Sequence, residues 1–289
     1  MKIFGRTLLV FLTVVAVAAA IKWWQDGERI AHAQTLGWYQ LPRDATNLLP
    51  DPATTSDAIV AVLSAPTYGW RGYFAVHPWI VYKRAGEAAY TRYEVIGWSR
   101  ANVVRRNHAR ADGQWYGATP TLLVFEHGEH AQTLIPEIEQ AIASYPYPQN
   151  YRSYPGPNSN TFLAHIGREV PALGLDLPPT AIGKDYRPLS NPFGVAPSGS
   201  GLQVSLEGLL GLIASPQEGL ELNVLGLGIG IDLNCPALRL PFVGRLGFNG
   251  TIVGNGCSSI DSSEKGGGVL ICILKVFQPR NAGCTGSWL

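Results

Sequence analysis

The chain has 289 residues and a net charge of +1, so no basic excess points to nucleic acid. Charged residues make up only 15% and hydrophobic residues 46%, against about 25% charged in ordinary soluble domains. All four cysteines, Cys235, Cys257, Cys272 and Cys284, follow residue 230 without C-x-x-C spacing or a later histidine, which argues against structural zinc.

In chain order, Lys2 and Arg6 precede an uncharged run of 15 residues, Thr7 to Ile21. A spanning helix wants about 20 residues, so residues 1–24 read as a signal anchor or a signal peptide. Lys22 and the belt-like pair Trp23 and Trp24 favour the uncleaved anchor. The basic end then stays inside, which puts the bulk of the chain on the periplasmic or extracytoplasmic side of the inner membrane. Residues 25–57, polar and interrupted by Pro42, Pro50 and Pro52, read as a linker.

Residues 58–198 carry the signals of an α+β core. Strands are expected at Ala58–Leu63, Trp70–Lys83, Arg92–Trp98 and Thr121–Phe125 from their β-branched and aromatic content. A hairpin joins residues 79 to 98, and Pro78 needs an edge or a bulge. His77 is the first site candidate, with Glu94 on the neighbouring strand as its carboxylate. Residues 100–117 read as a solvated basic loop. The string Glu126-His127-Gly128-Glu129-His130 departs from H-E-x-x-H, so no metal is expected there. A helix follows, with Ile135, Ile138 and Ile142 on one face and Pro136 in its first turn.

Tyr154 to Phe162 forms a rigid turn that delivers Ser159 to the start of a helix whose apolar face is Phe162, Ile166 and Val170. Pro171 stops that helix. Ser159 lies at or near the N-cap, where free N–H groups and a positive dipole meet. Two readings stand open: a capping hydroxyl, or a nucleophile that takes a histidine from elsewhere. Asn158 and Asn160 flank it as candidate ligand-binding residues. Lys184 and Asp185 read either as a surface ion pair or as lining of the same pocket. Residues 199–248 form a glycine-rich β region with period-two strands at Gly201–Leu206 and Leu220–Val224 and glycine-rich strands at Gly226–Gly230. Residues 249–289 carry no assignment beyond an apolar run at Val269–Phe277, too short to span a bilayer.

Several strings, among them His77-Pro78-Trp79-Ile80, Tyr93-Glu94-Val95-Ile96-Gly97-Trp98, Trp115-Tyr116-Gly117 and Gly156-Pro157-Asn158-Ser159-Asn160-Thr161-Phe162, resemble the bacterial family called domain of unknown function 3750. The resemblance covers residues 55–248 and implies an often membrane-anchored protein without an established activity. Asn158-Ser159-Asn160-Thr161-Phe162 also resembles the N-C-N-x-F string of circularly permuted papain-like hydrolases. That likeness implies a permuted papain-like core, a histidine base on an early strand (His77) and a nucleophile at position 159. Here the nucleophile is serine, which ionises far less than cysteine and depends on its base. The resulting expectation is an envelope hydrolase or acyltransferase acting on an amide or ester, with Ser159, His77 and Glu94 as its machinery. The other expectation is a non-catalytic papain-like module that binds peptide, glycan or lipid. Neither needs a cofactor.

Overall fold

The computed structural model of the chain describes residues 2–98, 102–248, 250–253 and 256–259. The expected apolar run Val269–Phe277 and the cysteines Cys272 and Cys284 lie outside the described residues.

Helix α1 spans Lys2–Thr35 and so continues past Trp24 through residues expected to be linker. By length and composition it is long and apolar enough to cross a membrane, with a mean hydropathy of 1.4 in the 18-residue window of its candidate span Leu9–Thr35. Its C-terminal end is tied to the globular part, because Ala33 joins a buried core and Ile30 is also buried. That docking explains why the helix outlasts its apolar run.

Five antiparallel strands form the first sheet: β1 (Ile59–Pro66), β2 (Val76–Lys83), β3 (Thr91–Val95), β4 (Val104–Arg106) and β5 (Thr121–His127), in the order β4-β3-β2-β1-β5. The expected hairpin is present, with Ile80 opposite Tyr93 and Tyr82 opposite Thr91. Pro78 pairs with Ser64 of β1, and the β3 pairing ends at Ile80, so the proline lies where β2 has no partner on that side. Residues 69–73 form a 3-10 turn, not the start of a strand. Part of the supposed basic loop is instead the edge strand β4, paired with β3 from Tyr93–Arg106 to Val95–Val104.

Strand alternation gives this sheet two covered faces. Val60, Val62, Ile80 and Tyr82 pack beneath α2 (Gly128–Ala143) and α3 (Ser159–Glu169). Ala61, Leu63, Trp79 and Val81 pack under Leu41, Leu49, Trp115 and Tyr116. Helix α2 starts earlier than expected, so Pro136 lies in its interior. An interior proline costs about 3 kcal/mol. Buried Leu134, Ile135 and Ile138 offset that at about 1.5–3 kcal/mol each.

A second sheet of seven antiparallel strands follows as a continuous meander. Its strands are β6 (Phe193–Gly194), β7 (Leu202–Leu206), β8 (Leu210–Ser215), β9 (Gly219–Val224), β10 (Leu227–Asp232), β11 (Ala237–Leu240) and β12 (Gly244–Gly247). The glycine-rich β region is therefore a sheet, and it includes β8, which the sequence reading missed. A short hairpin, β13 (Gly250–Val253) with β14 (Gly256–Ser259), lies beyond it. Cys235 is buried and disulfide-bonded.

Candidate functional site

Period two puts Arg92 and Glu94 on one face of β3, and His77 stands on the same side of β2. The three side chains meet in a buried cluster. His77 Nε2 lies 2.8 Å from Glu94 Oε2, and Arg92 Nη2 donates to the same oxygen at 2.8 Å. Arg92 also donates through Nη1 to the Arg110 carbonyl at 2.7 Å and lies 4.1 Å over the Trp79 ring. The Trp79 indole donates to the Ala111 carbonyl, which fixes that ring in turn. His77 stacks on Trp115 at 3.9 Å and 11°, and the exposed Trp98 lies parallel to Trp115 at 6.4 Å.

Protonation follows from these contacts. Burial alone would raise the Glu94 carboxyl, but the His77 hydrogen bond and the Arg92 charge outweigh it and hold it at about 2. Glu94 is thus an ionised acceptor at neutral pH. Burial pushes the His77 imidazole below its ordinary 6.5, and the opposing pull of Glu94 does not restore it. A neutral imidazole beside an acceptor-only carboxylate must carry its proton on Nε2. Nδ1 is then left with its lone pair, and it makes no hydrogen bond among the described residues.

Ser159 is the first residue of α3, and Asn158 is the N-cap. Asn158 Oδ1 accepts from the backbone N–H of Asn160 at 2.9 Å and of Thr161 at 3.2 Å. Thr161 Oγ1 accepts from the Asn158 N–H at 3.1 Å, completing a capping box. Capping therefore falls to Asn158, and the Ser159 hydroxyl makes no hydrogen bond among the described residues.

One short segment holds both halves of the site. The Val76 N–H, beside His77, donates to the Thr180 carbonyl at 3.2 Å. The Asn158 and Asn160 side chains, on either side of Ser159, donate to the Ile182 carbonyl at 3.0 and 2.8 Å. Thr161 Oγ1 donates to the Gly183 carbonyl at 2.8 Å. Gly183 has φ +87, and a Cβ there would stand 2.6 Å from the Pro155 carbonyl oxygen and 2.8 Å from Asn158 Nδ2. Only glycine permits that approach. His77 and Ser159 are not hydrogen-bonded to each other: the imidazole stacks within the Trp79–Trp115 core, whereas the residues after Ser159 enter the core beneath the helices.

The other expected ligand groups are engaged in structural contacts. Asn158 and Asn160 use their amide N–H groups on the Ile182 carbonyl. Lys184 and Asp185 are buried rather than paired at the surface. Lys184 Nζ donates to the Leu177 carbonyl and to Glu221, each at 2.9 Å. Asp185 Oδ2 accepts from Ser205 at 3.2 Å and Asn223 at 2.9 Å. Burial pushes the Asp185 carboxyl up. Both line a cleft of about 190 Å³, counted with its open mouth, between residues 179–185 and β9–β10. Among the described residues no cluster of three or more His, Cys, Asp or Glu side chains could hold a metal.

Sequence reasoning missed Arg92, although its position two residues before Glu94 places it on the same strand face. It also missed the role of Trp115 as the plate under His77, which no local pattern announces.

Residues 57–186 match the model of a family described as a protein of unknown function (DUF3750). The match begins just before β1 and ends at Tyr186, just past the segment that ties His77 to Ser159. Helix α1 and the seven-stranded sheet, including the part of the expected resemblance beyond residue 186, lie outside it. No curated protein matches the chain, and no solved structure does.

Proposed function

We propose that the chain is a membrane-anchored serine-type acyl hydrolase or acyltransferase acting on an amide or ester in the cell envelope. Its globular part would face the periplasmic side of the inner membrane, since Lys2 and Arg6 precede the apolar helix. The observation that carries the reading is the buried Arg92–Glu94–His77 relay, which leaves Nδ1 as a free base.

In this reading Ser159 Oγ attacks the carbonyl carbon while its proton passes to His77 Nδ1. Glu94 stabilises the imidazolium that forms, and Arg92 keeps Glu94 ionised and fixed. The Ser159 backbone N–H, first in the helix, faces the developing oxyanion with the positive end of the α3 dipole. Collapse of the tetrahedral species breaks the bond to the leaving nitrogen or oxygen, which takes the proton from His77. Water or a second acceptor then repeats the sequence and frees Ser159. The reading requires His77 Nδ1 to come within hydrogen-bond reach of Ser159 Oγ when substrate binds.

The missing His77–Ser159 hydrogen bond favours a second reading, a papain-like binding module in which the relay only stiffens the sheet. Fluorophosphonate labelling of the full chain in detergent separates the two. The enzyme reading expects one adduct, mapped to Ser159 and lost in both Ser159→Ala and His77→Ala. An unlabelled, folded wild type sinks it and leaves the binding module.

A further inference from the structure

The seven-stranded sheet is turned inside out. Its inward positions are mostly polar or charged: Ser205, Glu221, Asn223, Asp232 and Arg239 are all buried, with Ile213 the one large apolar side chain among them in the described strands. The outward positions run Leu206, Leu212, Leu222, Ile231, Leu238 and Leu246 from β7 to β12, each at least 40% exposed. Register puts them on one surface: Leu212 lies opposite Leu222, Ile231 opposite Leu220 and Leu238, and Leu238 opposite Leu246. No strand position on that surface carries a charge. An apolar face this broad and continuous marks an interaction surface.

We infer that this face lies on the bilayer, with its leucine side chains among the acyl chains and headgroups. Two features select lipid over a protein partner. The same chain carries a helix suited to cross a membrane, and α1 packs directly against β11 of this sheet. Ile30 and Ala33 fasten the end of that helix to the globular part, so the sheet is held beside the point where the helix leaves it. An apolar surface fixed next to a spanning helix meets the lipid interface at high effective concentration. The inference concerns the sheet and is independent of the acyl-transfer reading.

The test uses the full chain reconstituted into vesicles of phosphatidylethanolamine and phosphatidylglycerol. A benzophenone amino acid is placed singly at Leu212, at Leu222, or at the exposed Ala88 of the β2–β3 turn as a control. After illumination, intact mass distinguishes lipid adducts from protein adducts, and circular dichroism confirms folding. The expected result is lipid adduct at positions 212 and 222 at least about tenfold above position 88, as for hydrocarbon-facing against water-facing sites. Covalent dimers, or adducts within the same chain, at 212 and 222 would assign the face to a second copy or to the chain itself and overturn the inference. Folded protein without lipid adduct at either position would overturn it equally.

Discussion

The five-stranded and seven-stranded sheets use the same two-residue alternation and bury opposite halves of it. In the first, both faces are covered by apolar side chains, and buried charge enters as the His77–Arg92–Glu94 cluster and as Lys83 at the end of β2, whose Nζ donates to the Thr55 and Asp57 carbonyls. In the second, the covered face is a polar network. Glu221 joins Lys184 to Arg239, which reaches Asp176, while Arg245 bridges Asp176 and Asp232. Apolar burial carries the first sheet, and its buried charges are few and locally paired. The second is fastened to the core through directional contacts, which leaves its leucines facing outward.

The sharpest way to break this comparison is to remove one carboxylate from each network. Taking one partner from a buried ion pair costs about 3–5 kcal/mol, because the other charge stays buried. Glu221→Ala orphans Lys184 and weakens Arg239, and its loss should appear as faster hydrogen exchange across β9–β11. Glu94→Ala orphans Arg92 and should speed exchange in β2 and β3 instead. Urea denaturation gives the magnitudes. A loss below about 1 kcal/mol at Glu221, the value of an exposed pair, would contradict the fastening role.

Acid should act next on the first sheet. Both His77 and Glu94 have lowered values in the folded chain, so the unfolded chain binds more protons and stability rises with pH. The His77 contribution is whole above 6.5 and is lost as pH falls below it. The Glu94 contribution is whole above 4.5 and is lost as pH falls from there towards about 2. Urea midpoints between pH 7 and pH 4 should therefore decline, and Glu94→Gln should flatten the lower part of that decline. An unchanged slope would show that the pair does not titrate as described.

A smaller effect belongs to the helix start. Asn158→Ala removes a cap that accepts from two N–H groups and should cost about 1–2 kcal/mol. Ser159→Ala should cost less than about 0.5 kcal/mol, as for a substitution that breaks no named contact. The reverse order would return the capping role to Ser159.

These contrasts also mark what the residues announce by themselves. The 79–98 hairpin, the α3 start and the His77–Glu94 pairing follow from local pattern, because turn chemistry, helical period and strand parity are short-range. Lys184 and Asp185 did not show their setting, since their partners Glu221, Ser205 and Asn223 arrive from strands built later in the chain. Nor does alternation in Leu220–Val224 say which half is covered. It defines two faces, and only the neighbouring segment 176–185, with its own charges, decides that the polar one turns inward. The C-terminal third of α1 reads as polar and linker-like because its stabilising partner is the globular part, not its own sequence.

The most direct test of the account is the protonation state of His77. Nitrogen-15 correlation spectra of the histidine-labelled full chain at pH 7, assigned with His77→Gln, report each ring nitrogen separately. The account predicts a neutral ring with the proton on Nε2 and a bare Nδ1. A proton on Nδ1, or a doubly protonated ring, would leave no base to face Ser159 and would contradict the proposed chemistry.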